Sequence, residues 1–288
     1  MKKLLKRLDY FLVLSISFAY ILGLIQARSQ GRAISPLVMF SGLFFMLGFY
    51  LVTTFASPET QFATSDFRVN KRLRSTQPDP RTILLLASIA LTFISLFFLI
   101  RAHFFEYLLI PSLLILLVSA SLSLNNSIRA QSLPFRWLLD SLAISPIAYF
   151  FGLLITGLEL SFFPFMLALP LFLITCGSSI CFFFIRYQED LPIQQTPTMQ
   201  NFNWGRLAQL HDLVAFLGYG LLAAYLYFSG ALTIAWPAPL MVMAAFACSM
   251  LLHRIIQGMH PNWKLLKAMA AINLLGLVYI LGFAFLTH

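Results

Sequence analysis

Apolar runs long enough to cross a lipid bilayer follow one another along almost the whole of this chain. Nine such windows stand at 9–27, 34–56, 82–101, 105–124, 138–158, 163–185, 212–229, 234–253 and 268–287. About 20 residues suffice, because a bilayer core is roughly 30 Å thick and a helix rises about 1.5 Å per residue. Helix is the conformation open to such runs, since hydrocarbon offers no partner to an unpaired backbone N–H or C=O. Composition sharpens the point. Of the 288 residues, 60% are hydrophobic and 10% are charged, where soluble domains carry about 25% charged residues. A water-soluble core could not hide that much apolar surface. The expected fold is an all-α membrane protein of about nine transmembrane helices, one polytopic domain over residues 1–288.

Charge placement sets the expected orientation. The opening "MKKLLKRLDYFLVLSISFAYILGLIQ" begins like a signal peptide, but its apolar run is long and no convincing small-x-small cleavage site follows. It reads as a retained first transmembrane helix. With the N-terminus in the cytoplasm and nine spans, all of the 19 Lys and Arg residues except Arg28, Arg32 and Arg101 fall on the cytoplasmic side. That is a strong positive-inside bias. It predicts a multi-pass protein of an inner or plasma membrane. It also accounts for the net charge of +9 without nucleic acid, because cytoplasmic leaflets are anionic.

The connections on the two sides differ. Outer ones are mostly short, at 102–104, 159–162 and 230–233, while inner ones are longer and polar, at 57–81, 125–137, 186–211 and 254–267. The cytoplasmic face is therefore the place to look for function. Three polar constellations stand there. In "TFASPETQFATSDFRVNKRLRS", Glu59, Asp66, Asn70 and Arg74 are spaced by seven, four and four, which shares a helix face. In "FFFIRYQEDLPIQQT", Arg186 and Asp190 are four apart with Glu189 beside them. In "LNNSIRAQSLPFRW", Arg129 and Arg136 offer guanidinium forks suited to phosphate. Each stretch taken alone also suits a solvated loop with local ion pairs and topology-setting cations. Taken together, polar clusters follow the second, fourth and sixth windows at one membrane face. Mg²⁺ takes one or two carboxylates plus phosphate oxygens and water, so two carboxylate clusters could hold a metal-bridged diphosphate.

This order of parts resembles the UbiA-type intramembrane prenyltransferase superfamily. In that family an N-D-x-x-D-x-x-x-D motif follows the second helix, often trailed by N-K-x-x-R-P, and a D-x-x-x-D motif follows the sixth. Here "NKRLRS", Asn70 to Ser75, is similar to the N-K-x-x-R tail, and "RYQED" is similar to the second motif. The stretches "SLPFRWLLDSLAISPIAYFFGLLITG" and "QNFNWGRLAQLHDL" look like the approaches to the family's fifth and seventh helices. The departures are specific. Glu59 falls where the first motif has Asn, and Thr60, Ala63 and Phe67 fall at its three Asp positions. Asp66 misses the last of these by one. Arg186 replaces the first Asp of the second motif, whereas Tyr187 and Asp190 keep their places.

The resemblance implies a UbiA-like bundle and transfer of a prenyl group from a prenyl diphosphate to a lipid-soluble acceptor. It implies Asp190, Arg186 and Tyr187 as catalytic candidates. Asn70, Lys71, Arg74, Arg129 and Arg136 would bind the diphosphate, and Glu59, Asp66, Glu189 and Asp190 would hold Mg²⁺. The missing aspartates keep a second reading open: a prenyl-lipid or carotenoid binder of the same fold that ionises nothing. A transporter is disfavoured because no window centre carries an ionisable residue, whereas ion pathways usually need one. Cys176, Cys181 and Cys248 read as buried small hydrophobes. His103, His211, His253, His260 and His288 are scattered without metal-ligand spacing and read as interfacial packing.

Overall fold

The computed structural model describes residues 10–56, 80–102, 136–142, 146–156, 162–188 and 203–287. They form helices in the order α1 (Tyr10–Ser29), α2 (Pro36–Ala56), α3 (Pro80–Arg101), α4 (Arg136–Leu142), α5 (Ala148–Leu154), α6 (Phe162–Gln188) and α7 (Trp204–Phe228). Short α8 (Leu232–Ala235) and α9 (Pro237–Leu240) then lead into α10 (Val242–Ile256) and α11 (Trp263–Ala271). A π-helical turn, Ile272–Gly276, joins α11 to α12 (Leu277–Thr287). No strand occurs among the described residues. Among the described residues, five helical stretches are long and apolar enough to cross a membrane: Thr82–Arg101, Met166–Ile185, Trp204–Phe228, Leu232–Ile256 and Trp263–Thr287. Two shorter apolar helices, Val13–Ser29 and Pro36–Val52, accompany them. The window at 105–124 lies outside the described residues.

Two boundaries depart from the hydropathy windows for identifiable reasons. α7 starts eight residues before its apolar window, because the side chain of Asn203 caps it, accepting a hydrogen bond from the Arg206 amide at 3.0 Å. α11 likewise starts before its window, where Asn262 Oδ1 accepts from the Leu265 amide at 3.1 Å. Caps are polar, so a search for apolar runs cuts the first turns away. The 234–253 window is divided into α8, α9 and α10, with Pro237 opening α9 and Pro239 following. Proline is tolerated in a first turn and ends the helix before it.

The chain divides into two units, one of residues 1–13 and 34–133, the other of residues 14–33 and 134–288. In the first, α2 packs along α3. Gly48 lies so close to Thr92 that a Cβ there would stand 2.6 Å from the Thr92 hydroxyl oxygen. The hydroxyls of Ser88 and Thr92 donate to the carbonyls of Leu84 and Ser88 at 2.7 and 2.8 Å. Bonding back to one's own helix satisfies a hydroxyl where no water is present.

In the second unit α6 is the central helix, packed by α4, α7, α10 and α11. The α6–α7 approach is close because small residues line it. A Cβ on Gly218 would stand 3.0 Å from the Ile174 amide nitrogen, and one on Gly177 would stand 3.1 Å from Ala215 Cβ. Lipid tails are as apolar as leucine, so helices associate by such close packing and by buried hydrogen bonds. One such set links three elements. Tyr219 of α7 donates to Asn273 Oδ1 in the π-helical turn, and Asn273 Nδ2 donates to Ser178 Oγ of α6 at 3.0 Å. At the crossing of α1 and α5, a Cβ on Gly23 would collide with the Tyr149 carbonyl, and one on Gly152 with that of Tyr20. Tyr149 donates there to Gln26.

These contacts define two ends. Tyr225 of α7 also neighbours the Gln26 side chain, two residues before Arg28. Tyr225 is 21 residues along α7 from Trp204, about 30 Å by helix rise. Around Trp204 the rings of Phe183 and Phe184 gather, at centroid distances of 5.8 and 4.9 Å, and Arg186 stands in the following turn of α6. The Arg28 end and the Arg186 end of this unit are therefore opposite, in keeping with the charge partition.

Candidate functional site

A carboxylate lies inside a membrane-length helix near the Arg186 end. Asp212 belongs to the third turn of α7, eight residues beyond Trp204, about 12 Å along the axis. Its Oδ1 faces Nδ1 of neighbouring His211 at 3.1 Å, and its Oδ2 faces Nε2 of His253 at 2.8 Å. Ser249, one turn before His253 on α10, lies close enough to the carboxylate to favour its charged form. The two helices thus meet over one charged group with both oxygens engaged.

Exposure grades across the group. His253 is 42% exposed, Asp212 26%, and His211 is fully buried. His211 shares the inward stripe of α7 with Leu207, Ala208, Ala215, Gly218 and Leu222. The Cδ2 edge of its ring lies 3.7 Å from the position a Cβ would take on Gly177 of α6, so this glycine leaves the ring its place. Cys181 and Cys248 lie in the same buried cluster as Leu207 and Ala208, and Cys176, Cys181 and Cys248 are all free and buried, as expected of small apolar residues.

Cations ring this end. Arg206 is in the first turn of α7, Arg254 in the last turn of α10, and Lys264 and Lys267 in the first turns of α11. Trp137, Trp204 and Trp263 belong to the cluster around Phe183 and Phe184. Aromatic rings beside cations at helix ends mark a membrane–water interface.

The residues expected from sequence fall as follows. Arg186 and Tyr187 lie in the last turn of α6, which ends at Gln188. Arg136 opens α4, a helix packed on α6. Glu59, Asp66, Asn70, Lys71, Arg74, Arg129, Glu189 and Asp190 lie outside the described residues. Among the described residues, no group of three or more His, Cys, Asp or Glu side chains could hold a metal ion. The two histidines beside Asp212 direct a nitrogen at its carboxylate rather than at a common point.

His211 and Asp212 stand in the third turn of α7, short of its centre, because the helix starts at Trp204. One expectation needs correction: the histidines are not all scattered, since His211 and His253 both meet the Asp212 carboxylate, His253 from 41 residues further along the chain. Periodicity carried a signal that hydropathy missed: Leu207, His211, Ala215, Gly218 and Leu222 recur at three- and four-residue steps, which places His211 on a core stripe. Compared with known proteins, the chain matches no family model and no curated protein.

Proposed function

We propose that this is a multi-pass membrane protein that transfers a prenyl group from a prenyl diphosphate to a lipid-soluble acceptor at the cytoplasmic face of an inner or plasma membrane. The observation that carries this reading is the gathering of polar and cationic groups at one end of the second unit. Arg186 and Tyr187 end α6 there, and Arg206, Asp212, His253, Arg254, Lys264 and Lys267 stand at the neighbouring ends of α7, α10 and α11. Cations at such a place neutralise a departing diphosphate, and electrostatic stabilisation of the leaving group carries most of the rate in a reaction of this kind. Asn70, Lys71, Arg74, Arg129 and Arg136 would add to that field. Mg²⁺ held by Glu59, Asp66, Glu189 and Asp190 would supply further countercharge.

The test is binding and turnover of farnesyl diphosphate by the protein in lipid nanodiscs, with and without Mg²⁺. The expected result is diphosphate-dependent thermal stabilisation that falls at least about tenfold in apparent affinity in an Arg186→Ala/Asp190→Ala variant. One observation favours a second reading, a non-ionising isoprenoid binder: Thr60, Ala63 and Phe67 stand where three aspartates would chelate the metal. Equal binding of farnesol and farnesyl diphosphate would decide for that reading and against transfer.

A further inference from the structure

We propose that the α10–α11 corner holds an anionic phospholipid of the cytoplasmic leaflet, with its phosphate at Arg254 and Lys264 and an acyl chain laid along α10. The corner is closely built. α10 ends on Gly258 at φ 79°, where the Gly258 amide donates to the Ile255 carbonyl at 3.1 Å and the Met259 amide to the Arg254 carbonyl at 3.0 Å. A left-handed glycine cap of this kind satisfies the last carbonyls of a helix. Four residues later Asn262 caps α11. The two caps fix the chain between Arg254 and Lys264, and both cations are exposed. The helices then run side by side. At the start of α10, the Met241 methyl lies 2.6 Å from the position a Cβ would take on Gly276. Arg254 is 13 residues from Met241, and Lys264 is 12 from Gly276. The two cations therefore stand at about one level of the membrane, on helices that touch.

The face of α10 that leads to Arg254 is apolar and open. Met243, Phe246 and Met250 follow at steps of three and four residues, all exposed, and Arg254 comes four residues later. Such steps make one stripe on a helix. From Met243 to Arg254 the stripe runs 11 residues, about 16 Å by helix rise, against about 15 Å for half of a bilayer core. One leaflet's acyl chain matches that length, with its phosphate at the guanidinium. Methionine is unbranched and adapts to such a chain. Charge complementarity names the headgroup. A guanidinium fork and an ammonium suit phosphate oxygens, and a zwitterionic headgroup would bring a cation of its own to the same place. Asp212 on neighbouring α7 turns its two oxygens to His211 and His253, not to Arg254. Lys264 stands in the first turn of α11, where a cation opposes the helix dipole, so helix stability does not explain it. Orientation alone asks for cations on this side of the membrane, not for cations at the head of an apolar track. The site does not depend on prenyl transfer, since a phospholipid has no allylic leaving group to lose.

The experiment uses the full chain, delipidated in detergent, and reads lipid binding by native mass spectrometry and by thermal stabilisation. The probes are dioleoylphosphatidylglycerol, dioleoylphosphatidylcholine, inorganic phosphate and farnesyl diphosphate. The wild type is expected to bind the glycerol lipid at least about tenfold more tightly than the choline lipid, and to gain nothing from inorganic phosphate at the same concentration. Arg254→Gln/Lys264→Gln is expected to lose that preference, and the charge-conserving Arg254→Lys/Lys264→Arg to keep it. Phe246→Ser is expected to weaken both lipids alike. Equal binding of the two lipids by the wild type overturns the inference, even where a variant fails to fold. So does full preference in a folded Arg254→Gln/Lys264→Gln variant, unchanged binding in Phe246→Ser, or stabilisation by phosphate alone that equals that by the glycerol lipid. Preference for the glycerol lipid without any binding of farnesyl diphosphate leaves the phospholipid site standing and sinks prenyl transfer. Displacement of the glycerol lipid by farnesyl diphosphate does the reverse, because these cations would then belong to the prenyl donor.

Discussion

α3 and α6 are both apolar enough to span a membrane, yet they use their surfaces in opposite ways. α3 is the more hydrophobic, and 17% of its spanning window is buried; α6 is less hydrophobic, and 78% of its window is buried. In water the order would be reversed, because burial there follows hydrophobicity. In lipid the solvent itself is apolar, so large aliphatic and aromatic side chains gain little by leaving it. What selects a helix for the interior is the chance to pack backbones closely and to pair polar groups. The stretch "ITCGSSIC", Ile174 to Cys181, at the middle of α6 has both features. The corresponding middle of α3, "IALTFISLFF", presents Phe93, Ile94 and Phe97 outward, each more than half exposed.

The strongest way to break this contrast is to enlarge a residue at the α6–α7 contact. Gly218→Leu places a side chain against the Ile174 amide nitrogen and Leu173 Cβ, both 3.0 Å from the Cβ position. Backbone cannot yield there as a side chain would. A loss of about 3 kcal/mol is expected, read as a shift in equilibrium unfolding by sodium dodecyl sulfate in mixed micelles. Stability equal to wild type would mean that α6 and α7 do not approach as described. A second, smaller effect is expected from Asn273→Leu. It removes the partner of both the Tyr219 hydroxyl and Ser178 Oγ. Buried hydrogen bonds between membrane helices are worth about 0.6 kcal/mol on average and up to roughly 1.7, so about 1–2 kcal/mol should go. A double-mutant cycle with Ser178→Ala isolates the share carried by one bond, and a coupling of zero would deny that bond.

How much of this was legible beforehand depends on which physical signal a residue carries. Spans announce themselves by composition, and helix occurs in each predicted window that the described residues reach. The opposition of Arg28 and Arg186 was legible as charge, since a positive-inside bias places them on different faces. The group at Asp212 was not legible as a cluster. Asp212 and His253 are 41 residues apart, on α7 and α10, and nothing local says that these two helices touch. Hydropathy windows also start α7 too late, because Arg206, Gln209 and His211 dilute the apolar average in turns that are helical all the same. The sites expected from the family resemblance were legible as motifs, and of these Arg136, Arg186 and Tyr187 have a described place in the fold.

The smallest predicted effect is the sharpest test of the comparison, because one substitution is made on both helices. Phe184 on α6 is fully buried and meets the Trp204 ring edge-on at a centroid distance of 4.9 Å. Phe184→Leu removes that ring contact and leaves a void, so about 1–2 kcal/mol of stability should be lost. Phe93 on α3 is 66% exposed, and lipid fills whatever space its ring vacates. Phe93→Leu should therefore change stability by less than about 0.5 kcal/mol. Both are measured in the same micelles, so the reference state is shared and the difference belongs to the two environments. If the two variants lost equal stability, Phe93 would have a protein partner rather than lipid against it, and the outward face of α3 would be an interface.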